Sequence, residues 1–251
     1  GLCVDDSSYA GNNGTVDVNS VSFADADWAT IAAVAKSGNY AGTYNVGDTK
    51  EVDLGSLGKH TVRIANTSTP AECNQEGFSQ TACGFVLEFA DIITTHVMNS
   101  TNTNVGGWPA SSMRSYLSTD IYNALPADLQ STIIDTKVVS GHGKDDSANF
   151  TSTDKLYLLD SREVYGTSFT NSYNTSKDSE RQLDYYSAQG VTASNCSGAI
   201  KQLNGSNSWW WLRAAHSFSI GDFYGVNYDG DWGINSIANR TRGVSPAFRI
   251  A

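Results

Sequence analysis

Four histidines, at positions 60, 96, 142 and 216, are the first residues that could do acid–base or metal chemistry. None stands in a His-Glu-x-x-His arrangement, which would put two imidazoles on one helical face around a zinc ion. No Gly-x-Ser-x-Gly nucleophile elbow and no phosphate-cradling Walker loop occurs. His96 follows a β-rich run and reads as a structural hydrogen-bonder. His142, in Gly141-His142-Gly143-Lys144, reads as a solvated loop residue, and Asp145-Asp146 as a solvated pair. Carboxylates are numerous enough to assemble a glycosidase-type pair, but the separation that defines such a pair is a spatial quantity. No catalytic residue and no cofactor is therefore expected.

Oxygen-rich chemistry has one candidate. Asn227, Asp229, Asp231 and Asn235 place hard oxygen donors at short spacing, with Gly230 able to make a tight turn among them. That set resembles a calcium loop, and Asp229 and Asp231 would be its carboxylates. A calcium-dependent carbohydrate-binding lectin is the alternative this set raises.

The same residues lie inside a stretch with a different character, Ala214 to Gly243. Phe218, Ile220, Tyr224, Tyr228, Ile234 and Ile237 recur there with neither a helical nor a strand period. A loop-rich segment cannot bring all of them to a core, so some are expected to stand exposed. Exposed apolar groups rimmed by polar ones mark an interaction surface. Tyr, Ser, Gly and Asn are abundant here, as in antibody paratopes, where Tyr supplies area at low entropic cost. The stretch also contains no Lys, Glu, Gln or Met. Recognition would run through Phe218, Tyr224, Tyr228, Trp232 and Ile234, with Asp222, Asp229, Asp231 and Arg240 setting polarity.

The elements that must hold such a surface are partly legible. Asp25 or Asp27 can cap a helix that buries Trp28, Ile31, Ala32 and Ala35 and ends at Gly38. Lys50–Leu54 and His60–Ala65 alternate around Gly55-Ser56-Leu57-Gly58 as a hairpin. Gly84 to Ala90 reads as a buried strand. Ser111 can cap a helix carrying Met113, Tyr116 and Leu117, and Pro126 can open another carrying Leu129, Ile133 and Ile134. Lys155–Leu159 reads as a strand, Asp160 or Ser161 can begin a short helix through Val164, and a helical stretch is expected around Glu180 to Ala188. Trp209-Trp210-Trp211-Leu212-Arg213 and Val244–Ile250 read as rigid strands, with Arg213 and Arg249 in framework ion-pair or backbone contacts. Strands and helices mix without βαβ alternation, so the fold class is α+β. Residues 1–22 read as a lead-in following an upstream domain, and 23–251 as one domain with an irregular, loop-rich C-terminal half.

Composition narrows the partners. The 251 residues carry a net charge of −10, which argues against a protein that tracks nucleic-acid phosphates. No apolar run is long enough to cross a membrane. Six Trp, twelve Tyr and nine Phe supply a core without disulfide help. Four cysteines, at 3, 73, 83 and 196, allow three pairings, and Cys73 with Cys83 could close the polar loop between them. Few lysines and many Ser, Thr, Asn and Gly favour a secreted or displayed protein over one with free buried thiols.

Trp210-Trp211-Leu212-Arg213, followed by Gly243-Val244-Ser245-Pro246-Ala247-Phe248-Arg249-Ile250, resembles the end of a bacterial and phage domain family. Gly106-Gly107-Trp108 leading into Met113-Arg114-Ser115-Tyr116-Leu117, and Leu156-Tyr157-Leu158-Leu159 before Glu163-Val164-Tyr165-Gly166, extend the likeness from about Trp28 onward. These are the variable proteins of diversity-generating retroelements, with a C-type-lectin-like fold. Their asparagine AAY codons are scattered by error-prone copying of template adenines. Such scattering cannot produce Lys, Glu, Gln, Met or Trp, the depletion noted above.

The resemblance implies a fixed framework at Trp210, Trp211, Leu212, Arg213, Ser217, Phe223, Val226, Gly230, Trp232, Ala238 and Gly243 onward. It implies diversified, ligand-facing positions at His216, Phe218, Ser219, Ile220, Gly221, Asp222, Tyr224, Gly225, Asn227, Tyr228, Asp229, Asp231, Gly233, Ile234, Asn235, Ser236, Asn239, Arg240 and Arg242. Trp232, unreachable from an Asn codon, would be a fixed anchor in the binding surface. Ser245 stands where the family often carries Arg. A hypervariable region at about 214–243 would then serve a non-enzymatic receptor or adhesin. Its partner would be a protein or glycan on a target cell, met from a phage particle or bacterial surface. A structural phage or cell-surface component, using the same stretch against neighbouring subunits, is the remaining alternative.

Overall fold

The computed structural model describes residues 21–40 and 42–251, with the side chains of Ile234 and Asn235 outside the description. Cys3 and all but the last two residues of the expected lead-in also lie outside the described residues.

Helix α1 (Trp28–Ser37) starts where the Asp27 carboxylate accepts the Thr30 amide at 2.7 Å. It stops where Gly38, at φ +70°, turns its N–H back to the Val34 and Ala35 carbonyls. Its buried face is Trp28, Ile31 and Val34, with Ala32 and Ala35 only partly covered. Strands β1 (Thr49–Asp53) and β2 (Lys59–Asn66) form the expected hairpin, Thr49 opposite Arg63 and Asp53 opposite Lys59. Strand β3 (Val86–Phe89) is buried on both faces, and β4 (Thr94–His96) follows it.

The middle of the chain is helical in short pieces: α2 (Gly107–Ala110), α3 (Ser112–Tyr116), α4 (Tyr122–Ala124) and α5 (Ala127–Gln130). Ser111 caps α3 by accepting the Arg114 amide. Ile133 and Ile134 do not extend α5. They form β5 (Ile133–Ile134), because both pair with the C-terminal strand instead of their own helix. A second hairpin, β6 (Thr136–Ser140) with β7 (Phe150–Asp154), precedes β8 (Tyr157–Leu158), α6 (Ser161–Tyr165) and α7 (Asp184–Ala188). The helix expected from Glu180 begins only at Asp184. Glu180 and Arg181 are held by tertiary contacts, Glu180 to Arg213 and Arg181 to the Asn66 side chain and the Ala82 carbonyl.

The last fifty residues hold β9 (Lys201–Leu203), β10 (Ser206–Ser208), β11 (Trp210–Ala215), β12 (Asp222–Val226), β13 (Trp232–Ile237), β14 (Arg242–Val244) and β15 (Pro246–Ile250). The end of the chain is therefore not loop-rich, whereas residues 166–200 are largely turns and short helical pieces. The stretch 214–243 is largely an antiparallel meander. Register shifts between Trp211 and Ala215, and between Phe223 and Gly225, break the two-residue alternation that would have announced it.

Two sheets carry the domain. One runs β1-β2-β3-β15-β5, with β8 also on β15; the other runs β13-β12-β11-β14-β4. The chain passes from the second sheet into the first at Ser245, so the expected terminal strand is two strands with a corner between them. The buried Ser245 hydroxyl fixes that corner, accepting from Lys201 Nζ at 2.7 Å and donating to the Phe89 carbonyl at 3.0 Å. Pro246, first in its strand, withholds no ladder hydrogen bond. The fold is α+β with antiparallel sheets, apart from the parallel β11–β14 pair. Cys73 and Cys83 form a disulfide.

Candidate binding surface

The meander rests on charges that are fully buried. Arg213 on β11 donates to both Glu163 oxygens, at 2.6 and 2.8 Å, to Glu180 at 3.2 Å, and to the carbonyls of Val139 and Leu158. Burial disfavours the Arg213 charge, but Glu163 and Glu180 outweigh it and hold the group well above its ordinary range. Glu163 is placed by α6, whose first turn lets its carboxylate accept the Asp160 amide at 3.0 Å. Burial, then neighbouring Asp160, push Glu180 well above the usual carboxylate range. Through these bonds Arg213 ties β11 to Val139 of β6, Leu158 of β8 and Glu163 of α6.

Above this base, the loop between β11 and β12 is clamped from beneath. Asn104 is wholly buried, and its Nδ2 donates to the carbonyls of Ser219 and Asp222, each at 2.9 Å, with His216 O at 3.4 Å. The Asn104 amide adds a bond to Ile220 O at 2.9 Å, and the Lys144 amide one to Ser219 O at 3.0 Å. Ser219 Oγ closes the loop by accepting from the Gly221 and Asp222 amides. The backbone is ordered while its large side chains are not covered: Phe218 is 66% exposed and Ile220 55%. Tyr173, 41% exposed, packs its ring 5.2 Å from Phe218, and Val105 stands exposed directly after Asn104. The β13–β14 turn lies at this same end, since the Ala238 amide donates to Gly221 O. That brings exposed Asn239 and Arg240 toward the loop and leaves Asp222 half-buried at its root.

Asn227, Tyr228, Asp229 and Asp231 fall at the opposite end of β12. Tyr228 is 57% exposed. The carboxylates there serve the turn: Asp229 Oδ1 accepts the Asp231 amide and Asp231 Oδ1 accepts the Trp232 amide. Gly230, at φ +88°, must lack a side chain, because a Cβ would sit 2.1 Å from the Cys196 carbonyl oxygen. Among the described residues no group of three or more His, Cys, Asp and Glu is placed to hold a metal ion.

Several expected ligand-facing residues are placed inside. Tyr224 is buried, its hydroxyl donating to Asn171 Oδ1 at 2.7 Å, and burial pushes its phenol well above the ordinary range. Ser236 is 1% exposed. His216 is 5% exposed between Tyr173 and Tyr224, and burial holds its imidazole below the usual value. Trp232 is half-buried, edge-on to Phe169. These correct the expectation of an exposed Tyr224 and of ligand-facing His216 and Ser236: Phe169 packs on Tyr224 and Tyr173 on His216, while Ser236 lies on the other face of the sheet, beside Gly225 and Trp209. Gly225 and Gly233 have no room for a side chain without movement, a Cβ lying 3.1 Å from Trp210 O and 2.5 Å from the Trp209 indole respectively. Gly221 differs, since only the exposed Asn102 side chain blocks it. Arg242 is half-buried, stacked over Trp209. The side chains of Ile234 and Asn235 lie outside the described residues.

Three residues of this surface have no marker in the sequence: Val105 and Tyr173, which arrive from distant segments, and the clamp Asn104, one asparagine among several in a polar run. His96, expected to be structural, stacks on Tyr116 at 3.9 Å, whereas His142, expected to be a solvated loop residue, is half-buried with its Nδ1 2.7 Å from Gly143 O. Asp146 is not simply solvated; it accepts the Gly106 amide at 2.8 Å.

Neither the curated proteins nor the solved structures contain a match to this chain. The model of the family described as a domain of unknown function, DUF6273, matches residues 85–251, which run from the start of β3 to the end of β15 and contain the loop, its clamp and the buried arginine. The chain belongs to the DUF6273 family.

Proposed function

We propose that the chain is a non-enzymatic ligand-binding module of receptor or adhesin type, with C-type-lectin-like architecture, whose exposed positions are diversified by a retroelement. The observation that carries this reading is the exposure of Phe218 and Ile220, beside Tyr173 and Val105, on a backbone held by Asn104. Apolar side chains left in water on an ordered loop offer area to a partner at little ordering cost. Asp222, Asn239 and Arg240 rim the patch, and Tyr228, Asp229 and Asp231 add a second exposed group across the sheet. The ligand is a protein or glycan on a target cell, and the bearer is a phage particle or bacterial surface. The Cys73–Cys83 disulfide supports an oxidising compartment.

Sequencing around the gene tests the diversification. The reading expects a near-copy of the final coding segment that differs at adenines, beside a reverse transcriptase. Sister copies that never differ at Phe218, Ile220, Tyr228 and Arg240 would overturn it. Phe218→Ser with Ile220→Ser tests the surface itself: target-cell binding is lost while the melting temperature stays within about 2 °C, as for surface changes generally. A stable oligomer that buries these two side chains would instead make the chain a structural component.

A further inference from the structure

Arg242 is a cation left without a carboxylate partner among the described residues. It is half-buried, its guanidinium lies 4.9 Å over the Trp209 ring, and its Nε is buried with no hydrogen-bond partner among the described residues. No carboxylate is within ion-pair distance of Arg242 or of Arg240 among the described residues. Burial, and then the like charge of Arg240, act against the Arg242 charge.

The guanidinium borders a cavity of about 180 Å³ whose other walls include Thr95, Leu203, Ser208, Trp209 and Thr241. Through Thr95 and Leu203 this cavity adjoins a second, of about 310 Å³, reaching His60 and Asn204. The pair follows the free edge of β4, the outermost strand of its sheet. Hydroxyl-rich walls, one indole and one fixed guanidinium suit a ligand with many hydroxyls and a single negative group. The indole holds the guanidinium fork in place, so an incoming carboxylate or sulfate meets a pre-oriented donor pair. A lone inorganic anion would have no use for the length of the groove.

We propose that this groove binds an anionic saccharide, with Arg242 pairing its carboxylate or sulfate and Thr95, Ser208 and Thr241 bonding its hydroxyls. The inference rests on the reading of the chain as a binding module, but places a second site away from Phe218 and Ile220. Trp209 positions Arg242, and Gly233 leaves the space in which the indole lies.

The test is an array of neutral, uronate-bearing, sialylated and sulfated glycans, probed with the whole chain, with Arg242→Gln and with Phe218→Ser/Ile220→Ser. The native chain should retain acidic glycans and pass over their neutral counterparts. Arg242→Gln should lose at least tenfold of that signal with an unchanged melting temperature, and Phe218→Ser/Ile220→Ser should keep it. The uronate and sulfate arms tell which acid is preferred. Retention of no acidic glycan, equal retention by Arg242→Gln, or full competition by inorganic phosphate would each overturn the groove. Because the loop variant is read separately on target cells, those results would leave the proposed loop surface standing.

Discussion

Asn104 and Ser219 are joined across the whole β4–β12 interval of the chain by a 2.9 Å bond from a buried amide to a loop carbonyl. The same nitrogen donates to Asp222 O, so one side chain holds both ends of the loop that exposes Phe218 and Ile220. Replacing Asn104 by Ala strands these carbonyls in a buried place. The expected cost is about 2–3 kcal/mol, read as a lower denaturant midpoint. Hydrogen exchange should quicken at the Gly221 and Asp222 amides before it does on β11.

Arg213→Met should be far more damaging than its position on a well-packed strand implies. It leaves Glu163 and Glu180 buried without their cation. A loss of about 3–5 kcal/mol is expected from breaking a buried pair at one partner. Adding Glu163→Gln to Arg213→Met should restore part of it in equilibrium denaturation, since one uncompensated charge is removed.

Lys201 makes stability depend on pH. Burial pushes its amine down to about 8, against the pull of Glu88. The folded state therefore holds fewer protons at this site than the unfolded chain between pH 8 and its ordinary value near 10.5. The contribution of Lys201 rises with pH across that window and is lost as pH falls through 8. Lys201→Met should flatten this part of the stability–pH curve. A parallel curve for the variant would show that the amine titrates normally.

Reducing Cys73–Cys83 should lower stability by about 2–3 kcal/mol, the loop-closure value for a separation of this size, without altering the meander. Thermal melts with and without reductant measure it, and Cys73→Ala/Cys83→Ala should melt with the reduced protein.

Gly233→Ala should displace Trp209, because the new Cβ would fall 2.5 Å from its ring. Tryptophan emission should shift, and the Arg242 guanidinium should lose its seat on the indole.

Local chemistry determined what was legible from residues alone: the α1 caps at Asp27 and Gly38, the β1–β2 hairpin, the Ser111 cap, the buried β11 and the exposure of Phe218, Ile220 and Tyr228. The caps, the hairpin and β11 follow from neighbours in the chain, as a cap, a turn or a run of large apolar side chains, whereas the exposure was legible only for a set that also included the buried Tyr224. The meander itself was not legible, because two register shifts erased its alternation. Nor was the burial of Tyr224 and His216, since Phe169 and Tyr173, which pack on them, are remote in sequence. Val105, Tyr173 and Asn104 joined the surface for the same reason. Which side of a strand meets solvent depends on what packs against the sheet, and that is settled only when distant segments come together.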